Sequence, residues 1–330
     1  MQISSIVDII NGELLNSPFI SFIYAFKTNV KKVKEGDLFI AKNHEDIKTA
    51  VKNGAFAILI DKDYPVIDEE IAWIKVENIE TAIIKLIRYK LAISNLEAYH
   101  CDKATYDLLK IYAPNSKKNI VLIPNDLNKF FKILNDITHD DILIYHHKEV
   151  LDKIYPNNKN LNGLEEYKVE NLIEHSLFET SFSYNEQFYS KLKIPSIYIK
   201  QLITVLNYLN YELDMSKLKQ FYNFKPLFLD KNLNLVDFGK SDKFVLCQNS
   251  DSLVKKEFQF LEKKYKYAKI LFITSHKLDF IKKNQLVLKN IEDLKSTLKK
   301  VDFNAVYLIG FEYKDIHDSL TKQEKELTLF

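Results

Sequence analysis

The sequence predicts an α/β fold divided into more than one domain, on three observations. Short β-rich apolar runs alternate with longer stretches of helical period along most of the chain, the pattern of parallel or mixed sheets covered by helices. At 330 residues the chain exceeds the size at which one hydrophobic core usually keeps growing. Hydrophobic residues make up 46% and charged residues 28%, the proportions of an ordinary soluble globular protein.

In the first part, Ser5 to Leu15 reads as a helix, Ile20 to Phe26 as a strand, and Asp37 to Ala41 as a strand entered through the turn Lys34-Glu35-Gly36. A helix from Asp46 to Lys52 stops at Asn53-Gly54, where glycine supplies the left-handed cap. Ala55 to Ile60 and Ala72 to Val76 read as strands and Ile79 to Ile93 as a helix, closing a first unit at about residue 95. A second unit, 96–226, opens with a short strand at Leu96 to His100 feeding a helix from Ala104 to Tyr112. It continues through strands at Asn119 to Ile123 and Asp141 to His146, separated by a helical stretch from Asp126 to Ile137. Pro156 to Gly163 is a loop by composition. Leu177 to Tyr184 and Phe188 to Ile194 suit an antiparallel hairpin, with helices at Ser196 to Leu209 and Met215 to Tyr222. A third unit, 227–330, alternates strands at Phe244 to Cys247, Lys269 to Thr274 and Ala305 to Phe311 with helices at Ser252 to Tyr265 and Ile291 to Lys300.

Composition excludes several classes. Forty-seven Lys plus Arg against forty-five Asp plus Glu leave a formal charge of +2, which offers no general attraction for nucleic acid or anionic lipid. The Tyr and Phe residues lie at core spacing without an interleaved basic stripe and read as packing. Lysine-rich helices such as Lys255 to Lys266 read as solvated faces. Cys101 and Cys247 are far apart and make no zinc-site spacing. The first residues carry Asp8 and Glu13 within an amphipathic stretch, unlike a signal peptide, and no apolar run approaches the length of a membrane span. A cytoplasmic protein is the expectation. The prevalence of Lys over Arg, with abundant Ile and Asn, is the residue usage of an AT-rich genome.

The stretch Val30-Lys31-Lys32-Val33-Lys34-Glu35-Gly36-Asp37-Leu38-Phe39-Ile40-Ala41, a helix, and then Asn53-Gly54-Ala55-Phe56-Ala57-Ile58-Leu59-Ile60 resembles the amino-terminal domain of the Mur ligases of peptidoglycan precursor synthesis, closest to the type that adds D-alanyl-D-alanine to the tripeptide. The strand Ile74-Lys75-Val76 and the helix reaching Arg88 also fit. Further on, Leu192-Lys193-Ile194-Pro195 and Phe224-Lys225-Pro226-Leu227-Phe228 resemble the end of the ligase central domain. Gln248 to Leu253 stands in the place of that family's Asn-x-Asn-Pro-x-Ser loop, and Val306 to Gly310 resembles its closing apolar strand. The resemblance implies a bacterial, three-domain Mur-ligase-like architecture, here with a reduced central domain.

Departures from the family pattern fall on functional positions. Asn29, Val30 and Lys31 stand where the resemblance implies an Asp-Ser/Thr-Arg triplet that recognises a uridine nucleotide; Asn29 and Lys31 are the candidate substrate-binding residues. A valine supplies neither the hydroxyl nor the directional donors such recognition uses. The family's Gly-x-x-Gly-Lys-Thr-Thr loop wraps ATP phosphates with backbone N–H groups. At that place this chain reads Tyr99-His100-Cys101-Asp102-Lys103-Ala104-Thr105-Tyr106, in which Lys103 and Thr105 are the remnant cofactor-binding residues and both glycines are gone. Asp102 there would repel a polyphosphate; as a residue in its own right it reads as the N-cap of the following helix. No catalytic residue and no metal site is assigned, since no carboxylate cluster for magnesium can be placed between Thr105 and Pro226.

His146-His147 with Glu149 and Asp152, preceded by His139, Asp140 and Asp141, lacks the spacing of a zinc protease and reads as the polar end of a strand. Ser252 after Asp251 reads as a helix cap, there being no nucleophile elbow around it. The expected function is that of a Mur-ligase-like protein related to peptidoglycan precursor synthesis without ATP-dependent ligase activity, a scaffold or regulatory pseudoenzyme that needs no cofactor. Its expected partners are cell-wall synthesis proteins or a UDP-sugar. The alternative is a divergent, active amide-forming ligase that uses ATP and magnesium on a UDP-muramyl peptide. A third reading confines the resemblance to the fold, which does not by itself fix function.

Overall fold

The structure, a computed structural model, describes residues 1–163, 168–210 and 213–321; residues 322–330, the end of the third expected unit, lie outside them. Contacts along the chain divide it into two compact units, Met1–Cys101 with Ser116–Leu161 and Asp102–Asn115 with Asn162–Phe330.

The first unit begins with α1 (Ile3–Ile10), β1 (Glu13–Leu14), β2 (Phe26–Lys27), β3 (Leu38–Ile40), α2 (Ile47–Lys52), β4 (Ala57–Ile60), β5 (Ala72–Lys75) and α3 (Ile79–Ser94). Its sheet runs β1-β5-β4-β3-β2, with β1 antiparallel to β5 and the other pairs parallel. The helix expected to reach Leu15 ends at Ile10 because Asn11 turns left-handed at φ 55° and its N–H closes on Asp8 O, leaving Gly12 to start the reversal into β1. The strand expected from Ile20 contracts to Phe26–Lys27, with one isolated bridge between Gln2 and Phe22. Successive strand side chains point to opposite faces. Phe39, Ile58, Ile60 and Trp73 accordingly enter one cluster, over which Val33 and Ile47 pack, while Leu38, Ile40, Ala57 and Leu59 are buried on the other face. Both faces being apolar places β3 and β4 inside the sheet. Gly36 occupies the turn before β3 at φ 90°, and a Cβ there would stand 2.0 Å from Tyr24 Cδ2.

The second sheet of this unit contains β6 (Glu97–His100). The chain then passes through α4 (Lys103–Tyr112), a member of the second unit, and returns for β7 (Ile120–Leu122), α5 (Leu127–Asp136), β8 (Ile142–Tyr145), α6 (Lys148–Ile154) and β9 (Lys159–Asn160). These strands pair in parallel in the order β7-β8-β6-β9. Asp126 caps α5, accepting from Asn128 N at 2.8 Å and Lys129 N at 3.2 Å. The two sheets of the unit are joined by Asn128, whose side chain accepts from Thr28 N at 2.8 Å and donates to Thr28 Oγ1 at 2.9 Å, and by Phe131 against Phe26.

Beyond α4, the second unit contains β10 (Glu170–Ser176), β11 (Glu179–Tyr184) and β12 (Gln187–Leu192), then α7 (Ile199–Tyr208). The expected hairpin is β11–β12, and β10 adds an exposed third strand to it. A final group comprises β13 (Leu227–Leu229), β14 (Leu235–Val236), β15 (Lys243–Gln248), α8 (Asp251–Lys264), β16 (Ile270–Thr274), β17 (Gln285–Val287), α9 (Leu294–Leu298), β18 (Ala305–Ile309) and α10 (Tyr313–Thr321). Its sheet order is β14-β13-β15-β18-β16-β17, parallel except around β13. Two expectations are corrected here. Met215–Gln220 forms a 3-10 stretch, not an α-helix, and α8 starts at Asp251 with Ser250 in the cap position, so Ser252 lies inside the helix. Among the described residues no helix is long and apolar enough to cross a membrane.

Candidate phosphate-loop site

Helix α4 starts where the sequence places a phosphate loop. Asp102 has extended backbone angles and its carboxylate accepts from Thr105 N at 2.8 Å, which satisfies one of the N–H groups that a helix leaves open at its first turn. The N-cap reading of Asp102 is therefore realised. Two more side chains converge on the same residue. Asn162, in the loop after β9, accepts from Asp102 N at 2.8 Å and donates to Asp102 Oδ2 at 3.2 Å and to Thr105 Oγ1 at 2.8 Å. Gln201, on α7, donates from Nε2 to Asp102 Oδ2 at 3.0 Å.

Lys103 and Thr105 thus share the first turn of α4, and both are engaged within the unit. Thr105 is fully buried. Lys103 Nζ reaches both carboxylate oxygens of Asp107 at 2.5 Å, the i,i+4 neighbour on its own helix. A phosphate placed at this turn would meet the Asp102 carboxylate and would have to draw Lys103 from its ion pair. The positive end of the helix already holds an anion supplied by the chain.

From Asp107 a line of polar side chains runs inward. Asn223 donates to Asp107 Oδ2 at 3.0 Å, Gln248 Nε2 donates to Asn223 Oδ1 at 3.3 Å and to Glu257 Oε1 at 2.9 Å. Glu257 is fully buried and also accepts from the hydroxyls of Tyr198 and Tyr307, the latter at 2.7 Å. Burial pushes the Glu257 carboxyl up to about 7, although its three donors and nearby Lys256 pull it down. Burial and the Glu257 charge raise both tyrosine hydroxyls well above their ordinary value. Lys256, whose ammonium lies 4.8 Å from the Tyr198 ring centre, is lowered by burial.

Sequence reasoning missed this polar line. Lys255 to Lys266 read as a solvated face, whereas Glu257, Phe258 and Leu261 of α8 are buried. Asn162 stood in a segment recognised only as a loop. Gln201, between Lys200 and Leu202, carried no local signal either, and among the described residues no donor reaches its buried Oε1.

In the other unit, Asn29 caps the 3-10 turn Val30–Lys32 by accepting from Lys31 N at 3.0 Å. Lys31 itself is exposed. Val30 packs against the cluster around Phe39, so the middle position of the triplet serves the core. The polar group near β8 is spread over its end and α6: the His146 and His147 ring centres are 4.0 Å apart, whereas Asp152 binds Lys148 and the amide of Asn158.

Parallel and mixed sheets covered by helices define the class as a multidomain α/β protein. The particular fold is that of the Mur ligases. Over 97% of this chain and 99% of its own, the MurF of Acinetobacter baumannii superposes with a TM-score of 0.56 at 9% identity. A MurF ligase from Thermotoga maritima, solved in complex with ADP, superposes over 90% and 96% with a TM-score of 0.54 at 14% identity. An Acinetobacter baumannii UDP-N-acetylmuramoylalanyl-D-glutamyl-2,6-diaminopimelate–D-alanyl-D-alanyl ligase structure gives 0.52 at 10% identity, over 97% of each chain. No protein-family model and no curated protein sequence matches the chain.

Proposed function

We propose that this protein is a Mur-ligase-fold pseudoenzyme connected with peptidoglycan precursor synthesis, a cytoplasmic scaffold or regulatory partner that neither binds nor hydrolyses ATP. One observation carries the reading: the Asp102 carboxylate fills the N-terminus of α4, held by Thr105 N, Asn162 and Gln201, while Lys103 is paired with Asp107. Phosphoryl transfer depends on positioned cations and open backbone donors around the phosphates, and here both kinds of group are committed to the chain's own carboxylates. The amino-terminal part, central part and carboxy-terminal part divide near residues 95 and 226, and the first of them keeps its sheet for packing while Asn29 and Lys31 are what remains of a receptor for a UDP-sugar. Its partners are cell-wall synthesis proteins that meet this frame.

A second reading, a divergent amide-forming ligase using ATP and magnesium, is favoured by one feature. The buried Gln201 Oε1 beside Asp102 has no donor among the described residues, and a ligand entering the turn would supply one. Calorimetric titration with magnesium-ATP separates the two readings. The pseudoenzyme gives no saturable heat; the ligase gives a saturable isotherm that Lys103→Ala removes.

A further inference from the structure

The second unit carries a partly open cavity of about 220 Å³ lined by Phe178, Phe221, Phe224 and Phe238 with Pro195 and Pro226. That is somewhat larger than the roughly 150 Å³ apolar cavity known to take up benzene, so it has room for one substituted ring. Aromatic edges already meet here: the Phe178 and Phe238 rings cross at 78° with centres 6.5 Å apart. An aromatic guest would extend the same edge-to-face packing.

Lys193, Lys219 and Lys225 also line the cavity, and Lys193 and Lys225 differ in what neutralises them. Lys193 is ion-paired with Glu179 while its ammonium stands 3.8 Å from the Phe238 ring centre. Lys225 makes no ion pair among the described residues. Its ammonium donates to Lys219 O at 2.6 Å and lies 4.4 Å and 5.4 Å from the ring centres of Tyr222 and Tyr313. A half-buried ammonium without a counter-ion is unfavourable unless something compensates it, and burial lowers its pKa accordingly. The backbone adds an independent sign. Phe224, completely buried in the cavity wall, has φ 56°, a conformation that is costly for a bulky side chain and concentrates at ligand-holding segments.

We propose that this cavity binds a small monocyclic aromatic carboxylate, its ring among the four phenylalanines and its carboxylate at Lys225. The ring is selected by the wall and the anion by the Lys225 ammonium, which has a carbonyl and two rings but no carboxylate as partners among the described residues. The Phe224 ring lies 5.9 Å from that of Phe178 between centres, and the ammonium of its neighbour Lys225 lies against Tyr222 and Tyr313. This assignment does not depend on whether ATP binds at α4.

The test uses the full chain and calorimetry with phenylacetate, together with phenylacetamide, which has the same shape and no charge. Saturable binding of phenylacetate, about tenfold or more tighter than phenylacetamide and weakened about tenfold by Lys225→Gln, is the expected result. Absence of saturable phenylacetate binding up to about 10 mM, or equal binding of the two compounds, overturns the proposal. Should Lys225→Gln fail to fold, the comparison of the two compounds on the unmodified chain decides by itself. A folded Lys225→Gln variant that binds phenylacetate unchanged also overturns it.

Discussion

The side-chain amide of Gln201 donates a 3.0 Å hydrogen bond to the carboxylate of Asp102, joining α7 to the first turn of α4 across 99 residues of sequence. With Thr105 N and Asn162 it satisfies the Asp102 carboxylate. Asp102→Ala should therefore cost more than an ordinary cap. Loss of the cap is worth about 1 kcal/mol, and donors left unsatisfied in a partly buried place add about 1–3 kcal/mol. Urea unfolding of the variant should show this drop. A change within about 0.5 kcal/mol would mean that Asp102 is a replaceable surface residue.

The pH dependence of stability should carry the signature of Glu257. Its carboxyl titrates near 7 in the folded chain against an ordinary value of 4.5. Between those values the folded chain keeps a proton that the unfolded chain releases, so the contribution is full below about 4.5 and is lost as pH rises through about 7. The loss is on the order of 3 kcal/mol. Unfolding midpoints measured from pH 4.5 to 8 should fall more steeply for the native chain than for Glu257→Gln. Parallel profiles would contradict the assignment.

Phe39 and Lys31 should behave as opposites. Phe39 is completely enclosed between β2 and β4 in the cluster with Ile58 and Trp73, and truncation to Ala should cost about 3–5 kcal/mol in chemical denaturation. The exposed Lys31 should tolerate Ala within about 0.5 kcal/mol. If Lys31→Ala leaves the fold intact but removes calorimetric binding of a UDP-sugar, the amino-terminal sheet is a working nucleotide-sugar receptor and the pseudoenzyme reading fails for that part.

What the sequence disclosed follows the range of the interactions involved. The turn at Gly36, β3, the Asn53-Gly54 stop and β4 rest on neighbours a few residues apart, and they stand in the structure where Gly-Asp-Leu-Phe and Asn-Gly-Ala placed them. The Asp102 cap was legible for the same reason. Its other partners were not, because Asn162 lies 60 residues away and Gln201 99, and nothing in either local sequence marks an approach to α4. Glu257 was misread outright: between Lys256 and Phe258 it resembled a solvated position, but the tertiary structure turns that face of α8 toward Tyr198 and Tyr307. The overextended first helix has a local cause instead, since Asn11-Gly12 is a stop signal that the apolar period of Leu14 and Leu15 obscured.

The central claim is that α4 presents its own anion where a ligase would hold a nucleotide. Magnesium-ATP titrated into the full chain in a calorimeter tests it most directly. No saturable heat is expected to about 1 mM nucleotide, for the native chain and for Lys103→Ala alike; a saturable isotherm in the native chain that Lys103→Ala abolishes would contradict the claim.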